Sequence, residues 1–148
     1  MTRAAVALLR QRGVDVLLHL GDLGSEAVID ELVGFNARIV FGNCDWDEQS
    51  LARYAEIMGI QVDHPLGILE VAGKRIAFTH GHLPQLMRQA MGDGVDYLLH
   101  GHTHEVRDER VEQTRIINPG ALFRAARYTA AILDPVHDTV EIVEVAHS

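Results

Sequence analysis

The sequence predicts a mixed-sheet α/β domain, on three observations. Helix-period stretches alternate with short apolar runs in the first half, and the second half reads mostly as strands. In addition, four strand-like runs end in glycine or histidine next to Asp, Asn or His. The 148 residues are one domain's worth of chain and bury a real core on folding. No low-complexity tract, repeat or linker divides them, so a single domain over 1–148 is expected.

Thr2 is placed to cap a first helix whose Ala5, Leu8 and Leu9 share one face, with Gly13 at its end. VDVLLHL follows as an apolar run of strand length, broken by Gly21-Asp22. Ser25 caps a second helix with Val28, Ile29, Leu32 and Val33 on one side. ARIVF is the next strand, broken by Gly42-Asn43. Asp47 then caps a third helix carrying Leu51, Tyr54, Ala55 and Met58 at i, i+3, i+4 and i+7. From Ile60 the pattern turns to strands, including the hairpin LGILEVAGKRIAFT with its turn near Ala72-Gly73-Lys74. A helix is expected around Gln85 to Met91, then the strand VDYLLHG. Paired strands follow from Glu105 to Val145, with breaks at Asn118-Pro119-Gly120 and Asp134-Pro135.

Apolar residues make up 47% of the chain and charged ones 23%, ordinary for a globular protein. A formal charge of -8 argues against nucleic acid duplex or membrane surface as partner, since both are met with Lys and Arg. An acidic protein still binds a phosphate ester where a metal supplies the positive charge. Cys44 is the single cysteine, so no internal disulfide forms and a reducing, cytoplasmic setting is expected. The opening MTRAAVALLRQRG does not read as a signal peptide, and no run approaches the roughly 18 apolar residues of a membrane span.

The chemistry collects where strands end. LLHL runs into Gly21-Asp22, IVF into Gly42-Asn43, IAFT into His80-Gly81-His82, and YLLHG into His102-Thr103-His104. In open α/β sheets ligands bind outside the carboxyl ends of the strands, so adjacent strands bring Asp22, Asn43, His80, His102 and His104 to one edge. A carboxylate, an amide oxygen and imidazoles are mixed O/N donors, suited to Mn, Fe, Zn, Ni or Co rather than Ca. An aspartate that bridges two cations is a device of phosphoryl displacement, which points to a metal-assisted phosphoesterase. His82 is placed to contact substrate or to shape its loop, and Asp45 to orient a ligand from behind or to cap a turn. His100 reads as a supporting residue, His19 as a strand residue without a chemical role, and Cys44 as a poor candidate nucleophile.

Gly21-Asp22, Gly42-Asn43-Cys44-Asp45, Thr79-His80-Gly81-His82 and Gly101-His102-Thr103-His104 resemble, in order, four of the five blocks of the calcineurin-like metallophosphoesterase superfamily. Asn118-Pro119-Gly120 resembles a further signature of its small prokaryotic (YfcE-like) phosphodiesterase branch. The resemblance implies a four-layer α-β-β-α sandwich of two mixed sheets. It also implies hydrolysis of a phosphate ester, a diester in the branch named, by a metal-bound hydroxide. By it Asp22 bridges two divalent metals, manganese among the expected ions, while Asn43, His80 and His102 complete the second site and His104 serves the first. Asp22, Asn43 and His80 are the catalytic set it implies. Cys44 stands where the superfamily often carries a histidine that protonates the leaving group.

The family opens with a strand ending in Asp-x-His, and none precedes Asp22 here. A start assigned too late is the favoured reading over true truncation, because the remaining blocks are written as though that strand were present. One metal, or one strong and one weak, with low activity, is expected of this chain. A homo-oligomer covering the missing-strand edge is the partner arrangement left open. The competing reading is a degenerate homologue that binds metal or nucleotide, or acts through assembly, without catalysis.

Overall fold

The structure, a computed structural model, describes residues 1–146. Its elements in order are α1 (Thr2–Gln11), β1 (Leu17–His19), α2 (Glu26–Leu32), β2 (Ala37–Ile39), α3 (Glu48–Ile57), β3 (Gln61–Val62) and β4 (Leu66–Val71). They continue with β5 (Lys74–Thr79), α4 (Pro84–Gly92), β6 (Tyr97–Leu99), β7 (Val106–Val111), β8 (Thr114–Pro119), β9 (Thr129–Asp134) and β10 (Thr139–Glu144).

Local sequence signals account for most of these boundaries. Asp47 caps α3 by accepting from the Ser50 amide at 3.3 Å, satisfying one orphan donor of the first turn. Ala72 and Gly73, at φ 53° and 77°, make the two-residue turn between β4 and β5, whose twist matches the flanking strands. Thr2 lies inside the first turn of α1, and Met1 occupies the cap position. The runs VDVLLHL and ARIVF supply only three ladder residues each, because the chain leaves the sheet after His19 and Ile39.

β1, β2 and β3 form a parallel sheet, while β4-β5-β6-β8-β7 form a mixed one with antiparallel edges; β9 and β10 pair only with each other. Helices α1 to α3 cover the first sheet through Val6, Ile29, Leu32, Leu51 and Ala55, packed on Leu17, Ala37 and Ile39. In the five-stranded sheet, adjacent residues face opposite ways, the two-residue period of a strand. Ala77, Leu98 and Ile116 meet Met87 and Ala90 of α4, whereas Ile76, Tyr97 and Ile117 meet Ala131, Leu133 and Val140 of the β9–β10 hairpin. Phe78 looks the same way as Ile76 and lies 5.4 Å beneath the Arg38 guanidinium of β2.

Helices, an inner layer, the five-stranded sheet and α4 therefore stack as the four layers the resemblance implies. The hydrogen bonding is finer than two mixed sheets. The inner layer holds two separate pieces, a wholly parallel sheet and an antiparallel hairpin, since no ladder joins β1 to β9 or β10. Side chains bridge these pieces instead. Arg12, the residue after α1, pairs with Glu141 of β10, and the Tyr97 hydroxyl donates to Asp138 at 2.7 Å to fix the hairpin on the five-stranded sheet.

Candidate metal centre

Parallel pairing of β1 with β2, and of β5 with β6, turns the carboxyl ends of these strands toward common edges. The loops after β1, β2 and β5 then meet so closely that only glycine fits between them. A Cβ on Gly21, whose φ is 104°, would lie 2.5 Å from His80 Nδ1 and 2.8 Å from the Gly42 nitrogen. One on Gly42 would lie 2.0 Å from Asp22 Oδ1. Asp22, His102 and His104 have φ of 55°, 71° and 63°. Left-handed backbone at three non-glycine residues is strain of the kind that collects at functional sites.

His80 is the hub. Its Nδ1 lies 2.7 Å from the Leu20 carbonyl, an acceptor, so Nδ1 carries the proton and Nε2 the lone pair. Burial holds the ring below its ordinary pKa, against the opposing pull of the Leu20 bond and the Asp22 charge. The neutral Nε2 faces Asn43 Oδ1 at 3.0 Å and Asp22 Oδ2 at 3.4 Å. The side chains of His80 and Asp22 are only 2% and 8% exposed. Three lone pairs thus converge, two of them on buried side chains, with no proton to share among them, an arrangement that a cation relieves. The tether from the far ring nitrogen to a carbonyl is the one that orients a ligating histidine.

The surrounding rings reinforce this. His82 and His102 lie 5.2 and 5.1 Å from the His80 ring, and 6.1 Å from one another. His82 Nδ1 is buried without a hydrogen-bond partner. His102 is exposed and makes no hydrogen bond among the described residues. The donors fit a divalent cation held by Asp22, Asn43 and His80, with His102 beside them. No three His, Cys, Asp or Glu donors among the described residues are grouped to hold an ion by themselves, so the Asn43 amide is needed to complete the set.

Two residues whose role the blocks do not reveal hold the loops in place. The Asn118 side chain is fully buried. Its Nδ2 donates to the Gly101 carbonyl at 3.2 Å and to Thr103 Oγ1 at 3.0 Å, and its Oδ1 accepts from the Gly120 amide at 3.0 Å. The Asn-Pro-Gly break is thereby a clamp on the loop bearing His102. The buried Asp45 accepts from the Gly24 amide at 3.0 Å and the Gly42 amide at 2.8 Å, joining the loops of Asp22 and Asn43. His100 supports from behind: Arg107 donates to its Nε2, Nδ1 donates to the Gly101 carbonyl, and burial lowers its pKa. His19 does more than fill a strand. It accepts from the Gly21 amide at 3.2 Å, and burial pushes its pKa down to about 4 against Asp45 and Asp22.

The His104 ring packs on Phe123 at 4.9 Å, and no hydrogen bond or ion pair reaches it among the described residues. Cys44 is exposed, and its backbone amide, not its thiol, touches the site by donating to Asp22 Oδ1 at 3.1 Å.

Residues 1–138 match the family model described as the calcineurin-like phosphoesterase superfamily domain. The chain belongs to this superfamily. It is 30% identical over 123 residues to phosphodiesterase MJ0936 of Methanocaldococcus jannaschii, covering 80% of this chain and 74% of that protein. Among solved structures it is similar to an archaeal phosphodiesterase, with a TM-score of 0.87 and 26% identity over 97% of this chain and 90% of the other. The phosphoesterase Yfce of E. coli shares the fold, with a TM-score of 0.68 and 19% identity over 98% and 92% of the two chains. Calcineurin-like phosphoesterases are generally divalent-metal dependent, and membership of the family supports a phosphoester hydrolase. No helix among the described residues is long and apolar enough to cross a membrane.

Proposed function

We propose that the chain hydrolyses a phosphodiester with a divalent transition metal held by Asp22, Asn43, His80 and His102, manganese being the cation expected. The observation that carries this reading is the convergence of Asp22 Oδ2 and Asn43 Oδ1 on the unprotonated Nε2 of His80. A bound cation supplies Lewis acidity and a water acidic enough to attack near neutral pH. In the net reaction a water oxygen bonds to phosphorus, the ester P–O bond breaks, and the departing oxygen takes a proton. Leu20 fixes His80 in its ligating tautomer, Asp45 and Gly42 keep Asp22 against Asn43, and Asn118 keeps the His102 loop in register.

One strong metal is expected, because Asp22, Asn43, His80 and His102 supply one set of donors and no Asp-x-His precedes Asp22 to fill a second. Metal analysis of the purified chain, together with turnover of bis(4-nitrophenyl) phosphate, tests this. About one equivalent of metal and weak turnover, both lost in His80→Ala, support the reading. Two stoichiometric metals with full turnover would defeat the one-metal form.

The absence of an Asp-x-His ahead of Asp22 favours a second reading, a non-catalytic homologue that acts by binding or assembly. Metal uptake without turnover of any phosphate ester would select it. β1 is laddered on one edge only. A second copy of the chain on its other edge is the assembly both readings allow, and sedimentation measures it.

A further inference from the structure

A groove opens on the other flank of the turn that carries His102. It encloses about 570 Å³ between Thr103, His104 and Glu105 on one side and Arg124, Arg127 and Thr129 on the other. That volume suits a nucleotide-sized organic group and is far too large for a lone phosphate. Its charge is unusual for a chain of formal charge -8. Arg124 is exposed and has no carboxylate within ion-pair distance among the described residues; its guanidinium lies 5.7 Å over the Phe123 ring. Arg127 has only Glu144, at 3.7 Å, with the two side chains 74% and 63% exposed, so a ligand anion displaces that pairing at little cost. Glu105 is the one carboxylate among these wall residues, against two guanidiniums.

Phe123 links the groove to the metal centre. It is 40% exposed and meets the His104 ring at a tilt, His104 lying two residues from His102. The arginines of the groove thus sit close to the metal loop, with Arg124 over the same Phe123 ring that meets His104. Guanidinium bonds to phosphate are charge-assisted and bidentate, the strongest polar contacts such a groove offers.

We propose that this groove seats the organic half of the substrate, and that this half carries a second phosphate read by Arg124 and Arg127. The substrate class is then a nucleotide-sized phosphodiester with an additional phosphate. The proposal rests on the phosphodiesterase reading of the metal centre.

Two measurements on the full chain test the proposal. The first compares thymidine 5′-(4-nitrophenyl phosphate) with its 3′-phosphorylated derivative in the presence of Mn²⁺. The phosphorylated ester should show a kcat/KM higher by roughly tenfold, the scale of one charge-assisted contact, and the preference should fall toward one in Arg124→Gln and Arg127→Gln. Equal kcat/KM for the two esters, or a preference that survives both substitutions, overturns the proposal. The second is calorimetric titration of the metal-free chain with thymidine 3′,5′-diphosphate and with thymidine 5′-monophosphate. Tighter binding of the diphosphate, weakened about tenfold by Arg124→Gln, supports the groove even if no ester is hydrolysed. In that case only the catalytic reading falls. Absent or equal binding of the two nucleotides overturns the groove, while hydrolysis of the unphosphorylated ester would leave the catalytic reading standing.

Discussion

Asn118 donates to Thr103 Oγ1 at 3.0 Å from a fully buried position on β8, tying the sheet interior to the turn between His102 and His104. The same side chain also bonds the Gly101 carbonyl and the Gly120 amide. Asn118→Ala strands these partners, at a cost of roughly 2 kcal/mol in urea unfolding. It should also weaken metal affinity by roughly tenfold or more, as loss of an outer support does. A variant that loses stability but keeps wild-type metal affinity would show that the clamp serves folding alone.

Gly42 and Gly92 make a matched pair. A Cβ on Gly42 collides with Asp22, whereas one on Gly92, in α4, meets nothing within 4 Å. Gly42→Ala should cost roughly 1–3 kcal/mol and abolish metal binding, because Asp22 must move. Gly92→Ala should leave the metal site unchanged and raise stability by up to about 1 kcal/mol. Thermal melts and metal titrations of the two variants decide this.

Asp22 is predicted to trade stability for function. Asn tolerates left-handed backbone at least as well as Asp, and its amide can donate to His80 Nε2 where the carboxylate cannot. Metal-free Asp22→Asn should therefore be as stable as the parent, within about 1 kcal/mol, or more stable. Added Mn²⁺ should raise the melting temperature of the parent, by the equivalent of about 2.7 kcal/mol at a hundredfold excess over Kd, and leave the variant unmoved. An equal shift in both would sink the hub as the metal site.

The hairpin tether gives a pH dependence. The Tyr97 hydroxyl, then Arg115 and Arg110, hold the Asp138 carboxyl down from 3.8 to about 2. A depressed folded-state pKa contributes stability that is present above pH 3.8 and is lost as pH falls through about 2. Urea midpoints between pH 5 and pH 2 should fall for the parent, and less steeply for Asp138→Asn. Parallel curves would refute the assignment.

Much of this molecule follows from near neighbours in the chain. The Asp47 cap reaches three residues, the Ala72-Gly73 turn joins adjacent strands, and the ordered Gly-Asp, Gly-Asn, His-Gly-His and Gly-His-Thr-His blocks are themselves local. Period and turn chemistry act over a few residues, so the elements and the donor types are legible without coordinates. The runs before Gly21 and Gly42 overstate their strands, since apolar character persists at Val40 and Phe41 where the core needs it but the ladder has ended.

Three-dimensional packing decided which donors meet. The Leu20 carbonyl that sets the His80 tautomer is 60 residues away in sequence, and the Asn43 amide that faces its other nitrogen is 37 away. No periodicity reports a proton on Nδ1, an Asn118 side chain threaded under a turn, or a His104 ring packed on Phe123. By itself the sequence determined the family, the order of elements and the set of possible ligands, because those depend on residue type and spacing. Only the tertiary structure decided that Asp22, Asn43 and His80 share one point while His104 borders a groove, because that depends on how the two layers close over each other.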